Sequence, residues 1–361
     1  MKKPTLFDQC AFCPSLCADR CPVAEASSNS LFTPYGKMLC GYLLEKGDLQ
    51  KDEEVAKVFY QCTGCLACYE ACELKVNVPE ALLEMRTRLV KDGIAPYPIS
   101  LFKSDPEPMK EALIRVVPKR YIVPEASACL FPGCSALLKE PKAVAETLSV
   151  LKALKIEFVG VSPDAARCCG YPLLAGGFKD EFIKEAKDLV VALRRYKLVV
   201  ALSPCCAYTL KTLYLQCGVQ GLPRVTTVFE VVAPLFLREK VKEQGIALAV
   251  HDSCFMSRHL GLGALLRKVI AHANGMPPIE MRRNSELAGC CGAGLAYDRC
   301  ENETAKRCAR IVLDMAKDSG ADVLVTPSLT CYVHMLETRK PEDVQLMDLM
   351  GLLARSLNAH K

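Results

Sequence analysis

Arg167-Cys168-Cys169-Gly170 and Gly289-Cys290-Cys291-Gly292 are the two stretches on which the reading of this chain turns. Adjacent thiols point in different directions, and the glycine behind them lets the backbone bend tightly. Such a turn suits two ligands reaching one bulky inorganic group, and packing explains it poorly. On either side the pattern continues. The first copy runs Leu130-Phe131-Pro132-Gly133-Cys134, then Cys168-Cys169-Gly170, then Ser203-Pro204-Cys205-Cys206. The second runs His251-Asp252-Ser253-Cys254, then Cys290-Cys291-Gly292, then Ser328-Leu329-Thr330-Cys331. Corresponding cysteines are offset by 120 (134 to 254), 122 (168 to 290) and 125 (206 to 331). A near-constant offset at three landmarks marks two related halves.

Between these landmarks, β-branched runs at 156–161, 198–202, 247–250 and 323–325 read as strands, and 142–154, 180–195 and 303–317 as helices. That alternation predicts α/β layering with mainly parallel strands. The cysteines fall at strand ends, where open α/β sheets hold their ligands.

The chain has 361 residues, enough for two or three domains. It carries 22 cysteines and no tryptophan. The first residues, Met1-Lys2-Lys3-Pro4, lack the apolar core of a signal peptide, so a cytoplasmic location is expected. Cytosolic reductants keep disulfides open, so this many thiols point to metal or iron–sulfur chemistry. No run of ~18 apolar residues occurs, so no membrane-spanning helix is predicted. A formal charge of +5, without a long basic run, permits docking on an acidic partner and does not argue for nucleic acid.

Residues 1–92 form a first unit, expected to be small and mostly helical. Helices are read at 36–49, Glu53–Tyr60 and 79–91, the last carrying Leu82, Leu83, Met85 and Leu89 at helical spacing. The unit holds Cys10, Cys13, Cys17 and Cys21 ahead of Pro22, and a second run of Cys62, Cys65, Cys68 and Cys72. The second spacing is that of a bacterial [4Fe–4S] ferredoxin, in which three cysteines face one cluster and the fourth crosses to its neighbour. By that rule Cys10, Cys13, Cys17 and Cys72 hold one cluster, and Cys62, Cys65, Cys68 and Cys21 the other. Zinc also uses Cys-x2-Cys pairs, yet two four-cysteine runs exceed what closed zinc sites need. Residues 93–126, with Pro96, Pro98, Pro106, Pro108, Pro118 and Pro124, read as a linker over the surface. The halves follow at 127–243 and 244–361.

The pattern Cys134-x33-Cys168-Cys169-Gly170-x35-Cys206, with Cys254-x35-Cys290-Cys291-Gly292-x38-Cys331, resembles the paired cysteine-rich CCG domain of heterodisulfide reductase and its relatives. With the two ferredoxin-type runs ahead of it, the chain resembles a subset of that family over residues 5–340. The subset comprises the iron–sulfur subunits of glycolate oxidase and anaerobic glycerol-3-phosphate dehydrogenase, and the catalytic subunit of membrane-linked heterodisulfide reductase. The fold so implied is an α+β multidomain chain: a small helical two-cluster ferredoxin-like domain followed by two pseudo-repeated α/β cysteine-rich (CCG) halves.

In the family each half ends in Cys-x2-Cys, and five cysteines can hold a noncubane cluster. Here Ser203 and Ser328 stand where the first cysteine of that pair belongs, and Cys205 is a candidate fifth thiol in the first half. Serine is a poor ligand for soft metals, so an ordinary cluster held by four thiolates is the expectation. The resemblance thus implies two [4Fe–4S] clusters in residues 1–92 and one or two more, cubane or noncubane, on Cys134, Cys168, Cys169, Cys205, Cys206, Cys254, Cys290, Cys291 and Cys331. No flavin or dinucleotide fingerprint is found, so no flavin or nicotinamide site is expected in this chain. The function implied is electron relay between an FAD-containing dehydrogenase or other flavoprotein and a quinone, disulfide or redox-protein acceptor. A membrane quinone-linked subunit, and a place at the inner face of the membrane, belong to the same picture. The alternatives are a catalytic disulfide reductase, which the two serines argue against, and a zinc-braced structural module.

Weaker candidates complete the reading. His251, Asp252, Arg258 and His259 surround Cys254 and could tune a cluster. His334 lies three residues past Cys331. Cys40, Cys217, Cys300 and Cys308 lack partners at ligand spacing and read as small hydrophobes. Gly170, Gly176, Gly177, Gly292 and Gly294 are expected to give the backbone room near a cluster.

Overall fold

The structure, a computed structural model, describes residues 5–11, 13–123 and 126–358. Pro124 and the first four residues lie outside the described residues. From Leu6 to Tyr121 the described chain contains helices and irregular segments only. Helix Pro34–Lys46 begins where the Thr33 hydroxyl accepts from the Gly36 N–H, and it ends at Gly47 with φ of +84°. Asp52 caps Glu53–Tyr60 and Asn77 caps Val78–Lys91 in the same way. Phe7, Met38, Phe59, Leu82 and Leu89 close the core between these helices. Each such ring or branched side chain contributes roughly 1.5–3 kcal/mol on burial.

The proline-rich stretch is not a strap without secondary structure. Pro106–Val116 is a helix, and it drives Met109, Ala112 and Leu113 into the core of the repeat. Pro106 and Pro108 both sit in its first turn, where a missing N–H costs nothing. The expectation treated them as helix breakers, and their position makes them starters.

The first half holds β1 (Ala128–Phe131), β2 (Val159–Val161), β3 (Leu198–Ala201) and β4 (Arg224–Thr227), all parallel in the order β2-β1-β3-β4. The second holds β5 (Leu248–Val250), β6 (Val323–Thr326) and β7 (Gln345–Asp348), parallel in the order β5-β6-β7. A lone parallel bridge joins Ala249 to Ile279. It corresponds to the Cys129–Gly160 pair of β1 and β2, at offsets of 120 and 119 (129 to 249, 160 to 279). The second sheet is therefore the first with its β2 reduced to one bridge.

Strand residues alternate between two apolar layers. Leu130, Val200, Leu248, Val250, Val323 and Val325 face a core shared by both halves. Cys129, Phe131, Val199 and Ala201 face the helical unit's core, and Ala249 and Leu324 face a third core. Parallel strands buried on both faces need this continuous apolar character. Helices Pro141–Ala153 and Leu349–Ser356 pack together between the sheets and lock the halves into one body.

Candidate iron–sulfur sites

The first run of thiols collects at the edge of the helical unit. Helix Leu6–Ala11 delivers Cys10, a short turn delivers Cys13 and Cys17, and Cys72 arrives just after helix Ala67–Glu70. Burial, then the neighbouring Cys17, Cys13 and Cys72, pushes the Cys10 thiol up to about 12. Cys17, acted on by burial and then chiefly by Cys72, Cys13 and Cys21, reaches about 11. Thiols so crowded cannot all ionise without positive charge among them, which an iron–sulfur core supplies. All four are half-buried, and Leu16 and Leu74 beside them are 65% and 69% exposed.

The second group lies deeper. Cys21, Cys62, Cys65 and Cys68 line one small cavity together with Lys37. Burial, then Cys65, Cys62 and Cys21, drives the Cys68 thiol far above its ordinary range. Lys37 is buried, and its ammonium donates to the Gln61 carbonyl at 2.7 Å and to Cys21 Sγ at 3.5 Å. Buried Arg86 donates to the carbonyls of Phe59, Cys62 and Ala175, tying the cysteine loop to the first half. Arg258, from the second half, donates to the Cys65 carbonyl. Lys37 and Arg86 were not singled out in the sequence.

In the first half, Cys134 opens helix Cys134–Leu138 directly after β1, and its Sγ lies 3.9 Å from that of Cys168. Cys169 draws the neighbouring Cys206 thiol down while burial holds it up, leaving it at about 11. Gly133, at φ of +78°, brings the chain so close that a Cβ would lie 2.9 Å from Cys206 Sγ. Cys205 stands among Cys169, Cys134 and Cys168. Five thiols therefore share one end of the first sheet.

The second half is arranged differently. His251, Cys291 and Cys331 place one donor atom each within 4.8 Å of one another, all buried. Cys291 beside it, and then His251, pull the Cys331 thiol well below its ordinary range against the cost of burial. Cys290 lies toward Cys65 of the helical unit and is the neighbour that most raises the Cys65 thiol. Cys254 lies near that pair, acting with Cys65 and Cys290 on Arg258.

Both halves open onto one cavity of about 150 Å³, lined by all nine of these CCG-half cysteines. Ser203 and Ser328 line it too, where the pattern of the family calls for thiols. His334 also reaches it. The Ser203 Oγ and His334 Nε2 are buried without a hydrogen-bond partner.

Other expectations divide. Asp252 is fully buried, accepts from Nη1 and Nη2 of Arg267 at 2.8 Å each, and braces the second half. His259 Nε2 donates to the Gly64 carbonyl at 3.0 Å, its ring stacks on Phe255, and burial holds it neutral at about 4. Cys40 and Cys308 are buried, and Cys308 donates to the Pro22 carbonyl. The glycines make room for packing rather than for a cluster. A Cβ on Gly170 would strike Phe182, on Gly292 the Ala305 carbonyl, and on Gly294 the Thr63 carbonyl at 2.0 Å.

Residues 7–76 match the 4Fe-4S dicluster domain, and 128–211 and 248–336 match the cysteine-rich CCG domain. A dihydromethanophenazine:CoB–CoM heterodisulfide reductase subunit of Methanosarcina acetivorans is 30% identical over 325 residues, covering 84% of this chain and 79% of its own. The chain belongs to the CCG-domain family of iron–sulfur oxidoreductase subunits. Within that family it is also similar to a fumarate reductase (CoM/CoB) subunit of Methanothermobacter marburgensis, at 25% identity over 93% of this chain and 70% of the relative. EtfAB:quinone oxidoreductase of Syntrophomonas wolfei matches at 25% over 76% of this chain but 41% of its own length. Like its relatives, this CCG-family chain is an iron–sulfur electron-transfer subunit of an oxidoreductase. No helix among the described residues is long and apolar enough to cross a membrane.

Proposed function

We propose that the chain takes electrons from a flavoprotein subunit at its half-buried outer thiols and delivers them to an acceptor in the cavity between the CCG halves. The observation that carries this reading is the approach of Cys290 to Cys65, spanned by Arg258, which donates to the Cys65 carbonyl and to the carbonyl of Ala288, two residues before Cys290. It joins the inner thiol group of the helical unit to a residue that lines the cavity. At the other end Cys21 acts on Cys17, so the outer and inner groups also adjoin. A line of thiols thus runs from surface to cavity. The exposed Leu16 and Leu74 give a partner an apolar landing beside the entry.

In this reading Cys10, Cys13, Cys17 and Cys72 hold one [4Fe–4S] cluster and Cys21, Cys62, Cys65 and Cys68 a second, in ferredoxin-like crossing. Cys134, Cys168, Cys169 and Cys206, with Cys205 in reserve, hold a third. When bound, such groups supply one-electron transfer at potentials set by charge, hydrogen bonds and burial. The second half suits a single soft ion better. Tetrahedral bonds of ~2.0–2.3 Å place ligand atoms roughly 3.3–3.8 Å apart. The 4.8 Å limit on His251, Cys291 and Cys331 accommodates that spacing.

A second reading, a disulfide reductase, draws on the same cavity, where both cysteine sets meet. One experiment separates the two. The intact chain is reduced anaerobically with methyl viologen and mixed with a short-chain benzoquinone or with cystine. Relay predicts rapid reoxidation by quinone that is lost in Cys169→Ala. Reoxidation by cystine alone would overturn relay and favour disulfide chemistry.

A further inference from the structure

Two groups of four thiols in one small helical unit would, on spacing alone, be near equivalents. Their surroundings are not. Lys37 and Arg86 are the two fully buried Lys or Arg side chains among the described residues, and both lie at the inner group of Cys21, Cys62, Cys65 and Cys68. Lys37 meets the group directly. Its ammonium touches Cys21 Sγ at 3.5 Å and is fixed in place by the Gln61 carbonyl at 2.7 Å. Arg258 reaches in from the second half through the Cys65 carbonyl, and its Nη2 is buried with no partner of its own. Among the described residues no buried Lys or Arg lies at the outer group, and the groups acting on Cys10 and Cys17, besides burial and local backbone, are other thiols.

A fixed positive charge beside a redox centre in a dry site favours the form that carries one more electron. We infer that Lys37, seconded by Arg86 and Arg258, makes the inner site the higher-potential member of the pair and thereby sets net electron flow inward. The inference rests on the relay reading and adds its direction. Each transfer oxidises the outer centre by one electron and reduces the inner centre by one, with no bond made or broken. The electron comes from the flavoprotein and leaves through the Cys290 side.

Lys37 acts as a positioning residue, because it holds charge beside the centre without ligating it. Lys37→Gln keeps a donor for the Gln61 carbonyl and removes the charge, whereas Lys37→Arg keeps the charge. The test is an anaerobic redox titration of the intact, cluster-loaded chain followed by EPR, with Cys13→Ser marking the outer signal. The inner midpoint is expected to lie above the outer one in the unmodified chain. In Lys37→Gln the inner signal falls on the order of tenfold in reduced-to-oxidised ratio at fixed potential, about 59 mV for one electron. The outer midpoint stays put, and Lys37→Arg behaves as the parent. Arg258→Gln shifts the same signal the same way, which keeps the test open if Lys37→Gln does not fold. An inner midpoint at or below the outer one would overturn the inference, as would equal shifts of both signals or none. Fewer than two cluster signals from residues 1–92 would instead overturn the relay reading beneath it.

Discussion

The two halves of the repeat are built on matching parallel sheets and part company at the ends that meet the cavity. Phe131 closes β1 in the first half, and His251 takes the corresponding place in the second. Cys205 adds a fifth thiol to the first half, where the second has Thr330. Pro132 answers to Asp252, whose buried carboxylate binds Arg267. The first two positions thus turn an all-thiol pocket into a mixed nitrogen–sulfur one, and the third braces the second half, without disturbing the strands. Soft thiolate sets favour iron–sulfur cores, and a compact His–Cys–Cys set favours a single ion. The frame is common property, and the chemistry is a matter of a few side chains at its rim.

That difference should show most strongly in the metals. Cys169→Ala is expected to lower iron by one cluster, whereas Cys331→Ala leaves iron unchanged and removes one zinc or, in cobalt-grown protein, the cobalt visible bands. Elemental analysis of the two variants checks it. Equal loss of iron from both would make the halves equivalent again.

A smaller effect falls on stability. Arg267→Met leaves Asp252 buried and uncompensated, at a cost of about 3 kcal/mol. Denaturant unfolding read alongside cobalt absorbance should show the loss together with a weakened second half. An unchanged midpoint would mean that the Ser285 N–H, which also donates to Asp252, suffices.

The smallest effect concerns pH. Helix Val228–Phe236 of the first half is capped by Thr227, and helix Leu349–Ser356 of the second by Asp348, at the corresponding place. Burial, and then Glu146, pushes the Asp348 carboxyl up from 3.8 to about 7. The folded chain therefore holds this proton more tightly than the unfolded one, and the contribution to stability falls as pH rises from about 4 to about 7. Asp348→Thr copies the first half and removes that penalty. Its Tm should rise by roughly 2–4 °C at pH 8 and hardly at pH 4, measured by calorimetry. A rise at both would place the effect in packing.

Much of this was legible in the letters, for identifiable reasons. Helix Glu53–Tyr60 announces itself through Asp52 and an apolar stripe, and the offset of the cysteine landmarks exposes the repeat. β4 and β7 escaped notice because they are edge strands, four residues each, with an exposed polar start at Arg224 and Gln345. Helix Pro106–Val116 was hidden by prolines that begin it. At the sites, thiol spacing showed which cysteines gather. It could not show that Cys290 turns toward Cys65 rather than Cys331, because that depends on how the second half docks through Gly294 against Thr63. Nor could it show Lys37, whose meaning comes from the cavity it faces.

The most direct test of the central claim, a line of redox sites from the outer thiols into the first CCG half, is anaerobic iron and sulfide analysis with EPR. It is run on the intact chain and on Cys169→Ala. The account predicts about twelve irons, four per cluster, with one signal lost in the variant. About eight irons, with spectra indifferent to Cys169, would confine the clusters to residues 1–92 and contradict it.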